Sequence, residues 1–497
     1  MSITLFLIAL LPIAALILLL GVAKTPAHVA TPIALVTTAA LAMIFWQMPA
    51  MTVLGAAAEG AAMGLWPIMI VIVAAIFSFN VAKASGSIDA ITKILESVTT
   101  DKRVQVLILA WGFGGFLEAV AGYGTAVAIP ASILAALGFN PFFAAVISLI
   151  ANTVPTAFGA IGIPVSTLAT LTDLDPNLLS AKVALQLTPF IILLPFVLVM
   201  ITGKSVKAVK GVVGVSLASG LGFAIPHYLV ARFLGPQLPA LIGSIGALAS
   251  TIVVAKWQNR SRSGGASFRL SYLWFAWRPY ALILLFVLLA TPLFPPIYHF
   301  LNHFSTAVAF VKDAKPLTFY WVSTPGALII LATVASALLA KMPLRRVAKI
   351  FAQTTAQLSA TFVTVLAIVA LAKVMGHSGM INTLAIALAT LTGPAYPFLS
   401  PLIGTLGTFV TGSDTSSNVL FGKLQSEIST ALGVDPYWLS AANTAGATAG
   451  KMISPQSIAV ATSATGLTGR EGDIFGKTIL FCLGYVTILG VLVGVLT

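Results

Sequence analysis

Apolar stretches recur along the whole chain between short polar connections. Runs such as ITLFLIALLPIAALILLLGV (3–22) and ALILLFVLLATPLF (281–294) approach or reach the ~20 residues an α-helix needs to cross ~30 Å of hydrocarbon, and they are far too long for barrel strands. The pattern predicts an all-α polytopic membrane protein with about 12–16 membrane segments. Segments 49–63 and 343–357 are too polar or too rich in small residues to span, and each follows a proline at a helix start. They are expected to be interfacial helices. Segment 257–273, which contains QNRSRSGGASFRLS, reads as a flexible cytoplasmic loop.

Composition agrees with this pattern. Of 497 residues, 59% are hydrophobic and 8% charged, against about a quarter charged in soluble domains, and the mean hydropathy is +1.04. The single cysteine, Cys482, excludes an intrachain disulfide or a thiolate metal cluster. The stretch Met1 to Val22 lacks a basic n-region and is longer than a signal peptide's apolar core, so it is expected to stay as the first span. A net charge of +13 would suit nucleic acid, but the basic residues sit in short loops beside apolar spans. That is the positive-inside signature of a protein whose partner is the lipid bilayer.

The chain resembles itself at an offset near 293 residues. Thr31-Pro32-x-Ala34-Leu35 recurs as Thr324-Pro325-x-Ala327-Leu328, and Met48-Pro49 as Met342-Pro343. Ser85-Gly86-x-Ile88-Asp89 recurs as Ser378-Gly379-x-Ile381-Asn382, and Gly112-x-x-Gly115 as Gly404-x-x-Gly407. Asn152, Thr153, Gly159 and Pro164 recur, equally spaced, as Asn443, Thr444, Gly450 and Pro455. Collinear matches of this kind predict a duplicated membrane unit, with repeats at 30–203 and 323–497, a membrane span at 1–29 and a connecting insert at 204–322.

Charge bias sets the orientation of the copies. Arg345, Arg346 and Lys349 follow Met342-Pro343, whereas no basic residue follows Met48-Pro49 before Lys83. Lys93, Lys102 and Arg103 follow Ser85-Gly86, whereas none follows Ser378-Gly379 before Lys423. Matched loops of opposite bias predict inverted repeats, both termini outside and an even number of crossings. Lys312 and Lys315, in the outside loop 299–322, run against this scheme.

Of thirteen acidic residues, only Glu59, Glu118 and Asp414 lie in apolar or small-residue surroundings. A carboxylate at the bilayer centre costs roughly 2.5–3.5 kcal/mol, so a pairing or functional reason is needed. Glu59 falls on the expected interfacial helix. Glu118 lies in GGFLEAVAGYGTAVAIP and Asp414 in GTFVTGSDTSSNVLF, at corresponding places in the two copies. Glycines and hydroxyl residues interrupt both stretches, which points to broken helices meeting near the midplane. Free amides at such a break, aided by the positive helix end, suit a small anion. Structural alternatives stand beside these readings. Asp414 would also serve as N-cap of a helix starting near Thr415, and Glu118 would also pair with a lysine. Asn152 and Asn443 also suit interhelical bonding, and Lys451 is either a counter-ion in the site or a lysine snorkelling from a helix end. No H-E-x-x-H or G-x-S-x-G pattern occurs, so neither a zinc protease nor a hydrolase is supported, and no cofactor is expected.

The stretches GGFLEAVAGYG, NTVPTAFGAIGIP, TGSDTSSN and AANTAGATAGKMISPQSIA, with LWPI at 65–68 and AWRPY at 276–280, closely resemble the L-lactate permease family of bacterial inner-membrane carriers, which includes glycolate permeases. The resemblance implies uptake of L-lactate and related 2-hydroxymonocarboxylates (glycolate, D-lactate) by proton symport. Gly122-Tyr123-Gly124 stands where the family often has Gly-Phe-Gly, and Tyr123 adds a hydroxyl near the site. Within that framework Asp414 or Glu118 is expected to carry the proton. Ser413, Thr415, Ser416, Ser417, Asn152, Asn443, Gly122, Tyr123, Gly124, Lys451 and Gln456 form the expected substrate site. A sodium-coupled carboxylate carrier is the competing expectation, because carbonyls and hydroxyls at a helix break also suit Na⁺. The oligomeric state is left open.

Overall fold

The structure, a computed structural model, describes residues 3–23, 25–122, 124–258, 269–291, 294–312, 314, 316–467 and 470–497. After α1 (Ile3–Ile17) come α2 (Ala27–Phe45), α3 (Ala50–Met63), α4 (Ile70–Ala84) and α5 (Ser87–Glu96). A rod of α6 (Lys102–Val106), a π-helical stretch (Leu107–Phe113) and α7 (Gly114–Val120) follows, then α8 (Thr125–Ala136), α9 (Pro141–Ala151), α10 (Gly159–Thr172) and α11 (Pro176–Thr202). Next are α12 (Val213–Leu234), α13 (Pro239–Gln258), α14 (Leu270–Leu289) and α15 (Pro295–Asn302), then strands β1 (Ser305–Val308) and β2 (Leu317–Tyr320). The last part holds α16 (Pro325–Leu339), α17 (Leu344–Gln357), α18 (Ser359–Ser378), α19 (Met380–Thr392), α20 (Tyr396–Thr411), α21 (Asp414–Leu432), α22 (Pro436–Lys451), α23 (Pro455–Thr465) and α24 (Glu471–Val495). Eleven helices among the described residues are long and apolar enough to cross a membrane, and shorter apolar helices accompany them.

Local chemistry explains several boundaries. Asn140, Asp175 and Asp435 each accept hydrogen bonds from amides of the first helical turn, and the next residue is proline, whose missing N–H costs nothing there. At the other end, α20 and α21 stop at Gly412 and Gly433, both with positive φ.

Packing sorts the helices into two groups. In one, α2 and α3 lie along α18 while α16 and α17 lie along α4. In the other, α8 packs on α23, α10 on α21, and α20 on α22 and α24, with α11, α12, α13 and the 102–120 rod beside them. Hydrophobicity does not drive helices together in lipid, so small residues and polar bonds must. The α20–α22 crossing uses both. A Cβ on Gly446 would lie 2.6 Å from Pro401 Cα, and one on Gly404 would lie 2.8 Å from the Asn443 carbonyl carbon. Only glycine lets these backbones approach so closely, and the Thr405 hydroxyl donates across the crossing to the Gly446 carbonyl at 2.8 Å.

Two features depart from the sequence reading. The small residues of α3 form a packing face: a Cβ on Gly60 would lie 2.6 Å from the Ala370 amide nitrogen, so α3 is pressed against α18. Glu59, on the same helix, is 6% exposed. Its carboxylate pairs with Lys373 at 2.7 Å and His377 at 2.9 Å, a partnership between residues more than 300 positions apart. The second departure is the antiparallel β1–β2 pair, with Ser305 opposite Tyr320. Its β-branched and aromatic residues favour extended backbone. It docks on the kink between α3 and α4, where the Trp66 indole donates to the Tyr320 carbonyl at 3.0 Å. Most of the expected loop 257–273 (residues 259–268) lies outside the described residues.

Candidate functional site

Three interruptions in the helices converge on one small cavity. The first separates α7 from α8, where Gly122 and Gly124 adopt φ of +58° and +84°. The second follows α9 and includes Ala160, Ile161 and Gly162, all left-handed at φ 44°, 57° and 73°. For the two non-glycine residues this costs about 1–2 kcal/mol each, the kind of local strain that collects at functional sites. The third separates α20 from α21 at Gly412 and Ser413. Since α10 packs on α21 and α8 on α23, the breaks of the two halves of the chain face one another.

The cavity has a volume of about 70 Å³, space for a group of only a few non-hydrogen atoms. Both buried carboxylates open into it. Glu118 is 3% exposed and Asp414 3% exposed. Glu118 Oε2 and both Asp414 oxygens have no hydrogen-bond partner among the described residues. Buried carboxylate oxygens without partners are costly, and their presence here calls for a ligand, a proton or water to complete them. The Glu118 carboxylate is accommodated by Gly159, on which a Cβ would lie 2.6 Å from Oε1. Lys451, the last residue of α22, donates from Nζ to the Gly412 carbonyl at 3.0 Å and supplies the cation of the cavity.

Asp414 is the first residue of α21 and Ser413 is its N-cap, with Ser413 Oγ accepting from the Ser416 amide at 3.2 Å. The capping role considered for Asp414 thus falls to its neighbour, which leaves the carboxylate beside the positive helix end with both oxygens open to the cavity.

Of the expected site residues, Glu118, Gly122, Ser413, Asp414, Thr415, Lys451 and Gln456 line the cavity together. The rest stand around it. Asn152 bonds to Thr156, which lines the cavity: the Thr156 hydroxyl donates to the Asn152 carbonyl at 2.6 Å. Ser417 donates to the Gly404 carbonyl at 2.8 Å and serves the α20–α21 contact. Asn443 donates to Asn418 Oδ1 at 2.9 Å, and Asn418 in turn donates to the Pro164 carbonyl at 3.1 Å, tying α22 through α21 to the cavity wall. The Ser416 amide takes part in the cap, and Gly124 packs on Val460 of α23. Tyr123 lies outside the described residues. Thr156, Gly159, Ala160, Ile163, Pro164 and Gly412 also line the cavity and were not singled out from the sequence as site residues. The available signal was the repeated Asn-Thr…Gly…Pro pattern, of which Gly159 and Pro164 are members.

A polytopic helical protein with three helix breaks around a small charged cavity is a multi-pass membrane transporter in class. Over residues 5–497 the chain matches the L-lactate permease family. It is 48% identical to an L-lactate permease of Streptococcus iniae, over 87% of this chain and 93% of that one. It is 35% identical to the glycolate permease GlcA of Escherichia coli, over 98% of this chain and 94% of that one. Among solved structures, the YdaH transporter of Alcanivorax borkumensis overlays on 89% of this chain and 87% of its own, with a TM-score of 0.49 at 16% identity. The chain belongs to the L-lactate permease family.

Proposed function

We propose that this protein is a secondary carrier of the bacterial inner membrane that imports L-lactate and related small 2-hydroxymonocarboxylates, glycolate among them, together with a proton. The observation that carries the reading is the charge balance of the cavity: two buried carboxylates face one ammonium. A monoanionic substrate entering that set adds a further negative charge to a buried site, unless one carboxyl takes up a proton at the same time. Glu118 or Asp414 holds that proton. Lys451, the Ser413, Thr415 and Thr156 hydroxyls, Gln456 and the first amides of α21 hold the carboxylate and 2-hydroxyl. Entry with one proton also removes the cost of moving an anion against an inside-negative potential, about 2.3 kcal/mol per 100 mV. The named activities of the bacterial relatives support the substrate class.

Alternating access follows from two inverted units, 30–203 and 323–497, joined by the insert 204–322. The order of helices supports the duplication: α16 to α24 repeat the succession from α2 to α11, with α20 in place of the 102–120 rod. The test is uptake of labelled lactate and glycolate into vesicles under an imposed pH gradient or an imposed sodium gradient. Accumulation is expected with the pH gradient alone. Accumulation that needs sodium, or full pH-driven accumulation retained in both Asp414→Asn and Glu118→Gln, would overturn the assignment.

A further inference from the structure

A second and larger cavity, about 390 Å³, lies beyond the left-handed turn at 160–162. Its wall takes Ile163, Ser166 and Thr170 from α10, a spacing that puts them along one helical face, and Asp173, which caps the end of that helix. Exposure rises along this stripe. Ile163 is 4% exposed, Ser166 is half-buried, and Thr170 and Asp173 are exposed. From Ile163 to Thr170 the helix rises ~10 Å, so the stripe runs from the protein surface down to the turn. At its lower end Ile163 lines both this vestibule and the site cavity. Ile163 is the residue common to the two linings.

The turn that presents Ile163 packs against another part of the vestibule wall. Gly162, at φ +73°, packs on the connection between α12 and α13, where a Cβ would lie 3.0 Å from Gln237 Cα. The rim of the vestibule includes Asn302, Tyr320 and Ser323. Asn302 and Tyr320 fall in loop 299–322 and Ser323 directly follows it, and the inverted-repeat reading puts that loop outside.

We propose that Ile163 is the specificity-determining barrier between an outside vestibule and the transport site, its side chain limiting the size of the alkyl group carried on C2 of the hydroxyacid. The inference deepens the carrier reading above and rests on it for the substrate, while the route from outside is testable by itself. Cys482 is buried, so a Cys482→Ser background allows single cysteines to be placed by Thr170→Cys, Ser166→Cys and Ile163→Cys. Intact cells are treated with a membrane-impermeant thiol reagent.

Labelling is expected to be fastest at position 170, slower at 166 and slowest at 163, with lactate protecting position 163 and not 170. In uptake assays, Ile163→Ala is expected to raise the ratio of 2-hydroxybutyrate to lactate transport by roughly tenfold, the scale set by one methylene in an apolar pocket. Ile163→Val should move the ratio in the same direction by less. Labelling of position 163 only in inside-out vesicles would overturn the proposal. An unchanged ratio in both variants, each present in the membrane at normal amounts, would also overturn it. If the labelling order holds while lactate neither enters nor protects, the hydroxyacid reading falls and the barrier stands.

Discussion

The Lys451 ammonium donates to the Gly412 carbonyl across 3.0 Å, joining the end of α22 to the break between α20 and α21. One side chain thereby satisfies a carbonyl left free at a helix end and places a positive charge within reach of both Glu118 and Asp414. Removing one member of a buried charge set costs about 3–5 kcal/mol because the remainder is left uncompensated. In the cavity this leaves two carboxylates and the incoming anion without a cation, so Lys451→Met is expected to lower lactate uptake by at least about tenfold per inserted protein, the ~1.4 kcal/mol scale of one lost charge-assisted contact. Lys451→Arg, which keeps the charge, should retain part of the rate. Unchanged uptake in Lys451→Met would remove this residue from the site.

The Glu59 group makes a stability prediction. Glu59 is held by Lys373 at 2.7 Å and His377 at 2.9 Å, and it bridges α3 and α18, which belong to different halves of the sequence. Lys373→Met leaves the carboxylate with the imidazole alone and is expected to cost about 3 kcal/mol. Adding Glu59→Gln removes the buried charge and should recover most of that loss. Thermal unfolding of the detergent-solubilised protein, followed by size-exclusion chromatography, measures both. A double variant no more stable than Lys373→Met would contradict the pairing.

How far the site was legible in the sequence follows from what each residue type can do alone. Glu118 and Asp414 stood out because a carboxylate in an apolar run is too costly to keep without a charge partner or a task, and both line the cavity. Gly122, Ser413, Thr415, Lys451 and Gln456 are close to those acids or to the repeated motif, and they line it too. Asn443 also looked like a site residue, but an asparagine on a membrane helix has a second use, and its amide is spent on Asn418. The partners of Glu59 were invisible because Lys373 and His377 are more than 300 positions away and nothing local links them. The left-handed run at Ala160–Gly162 was hidden for a different reason. Alanine and isoleucine carry no local signal for positive φ, and tertiary contacts hold them there.

The connection ahead of α6 makes a pH prediction. Asp101 accepts from the Arg103 amide at 2.9 Å and from its guanidinium at 2.8 Å, while Arg103 also reaches the Ala208 carbonyl at 2.7 Å. Burial pushes the Asp101 carboxyl up, but the Arg103 hydrogen bonds and charge more than reverse this and hold it below the usual carboxylate range. A folded pKa below the unfolded value of ~3.9 gives stability that is complete above that value and is lost as pH falls through the lower folded one. The stability difference between the protein and its Asp101→Asn variant should therefore be flat from about pH 5 to 8 and shrink below about pH 4. Unfolding curves over that range test the sign: a difference that grows on acidification would contradict it.

Gly159 offers the most selective probe of the cavity. A Cβ there would lie 3.3 Å from the Glu118 carboxyl carbon, a tight contact, and 2.6 Å from Oε1, closer than real Cβ contacts allow. The backbone at Gly159 is extended, with φ −64° and ψ 159°, so alanine is conformationally acceptable and the nearest obstacle is the Glu118 side chain. Gly159→Ala should consequently displace the Glu118 side chain with little loss of stability. In Glu118→Ala the obstacle is gone and the methyl group has space. Gly159→Ala is therefore expected to depress pH-driven lactate accumulation by at least about tenfold in the otherwise unchanged protein, and to add almost nothing to the effect of Glu118→Ala. A double-mutant cycle on uptake makes the comparison. Equal, independent losses in the two backgrounds would mean that Gly159 acts on the fold and that the Glu118 carboxylate does not occupy the place from which coupling is exerted.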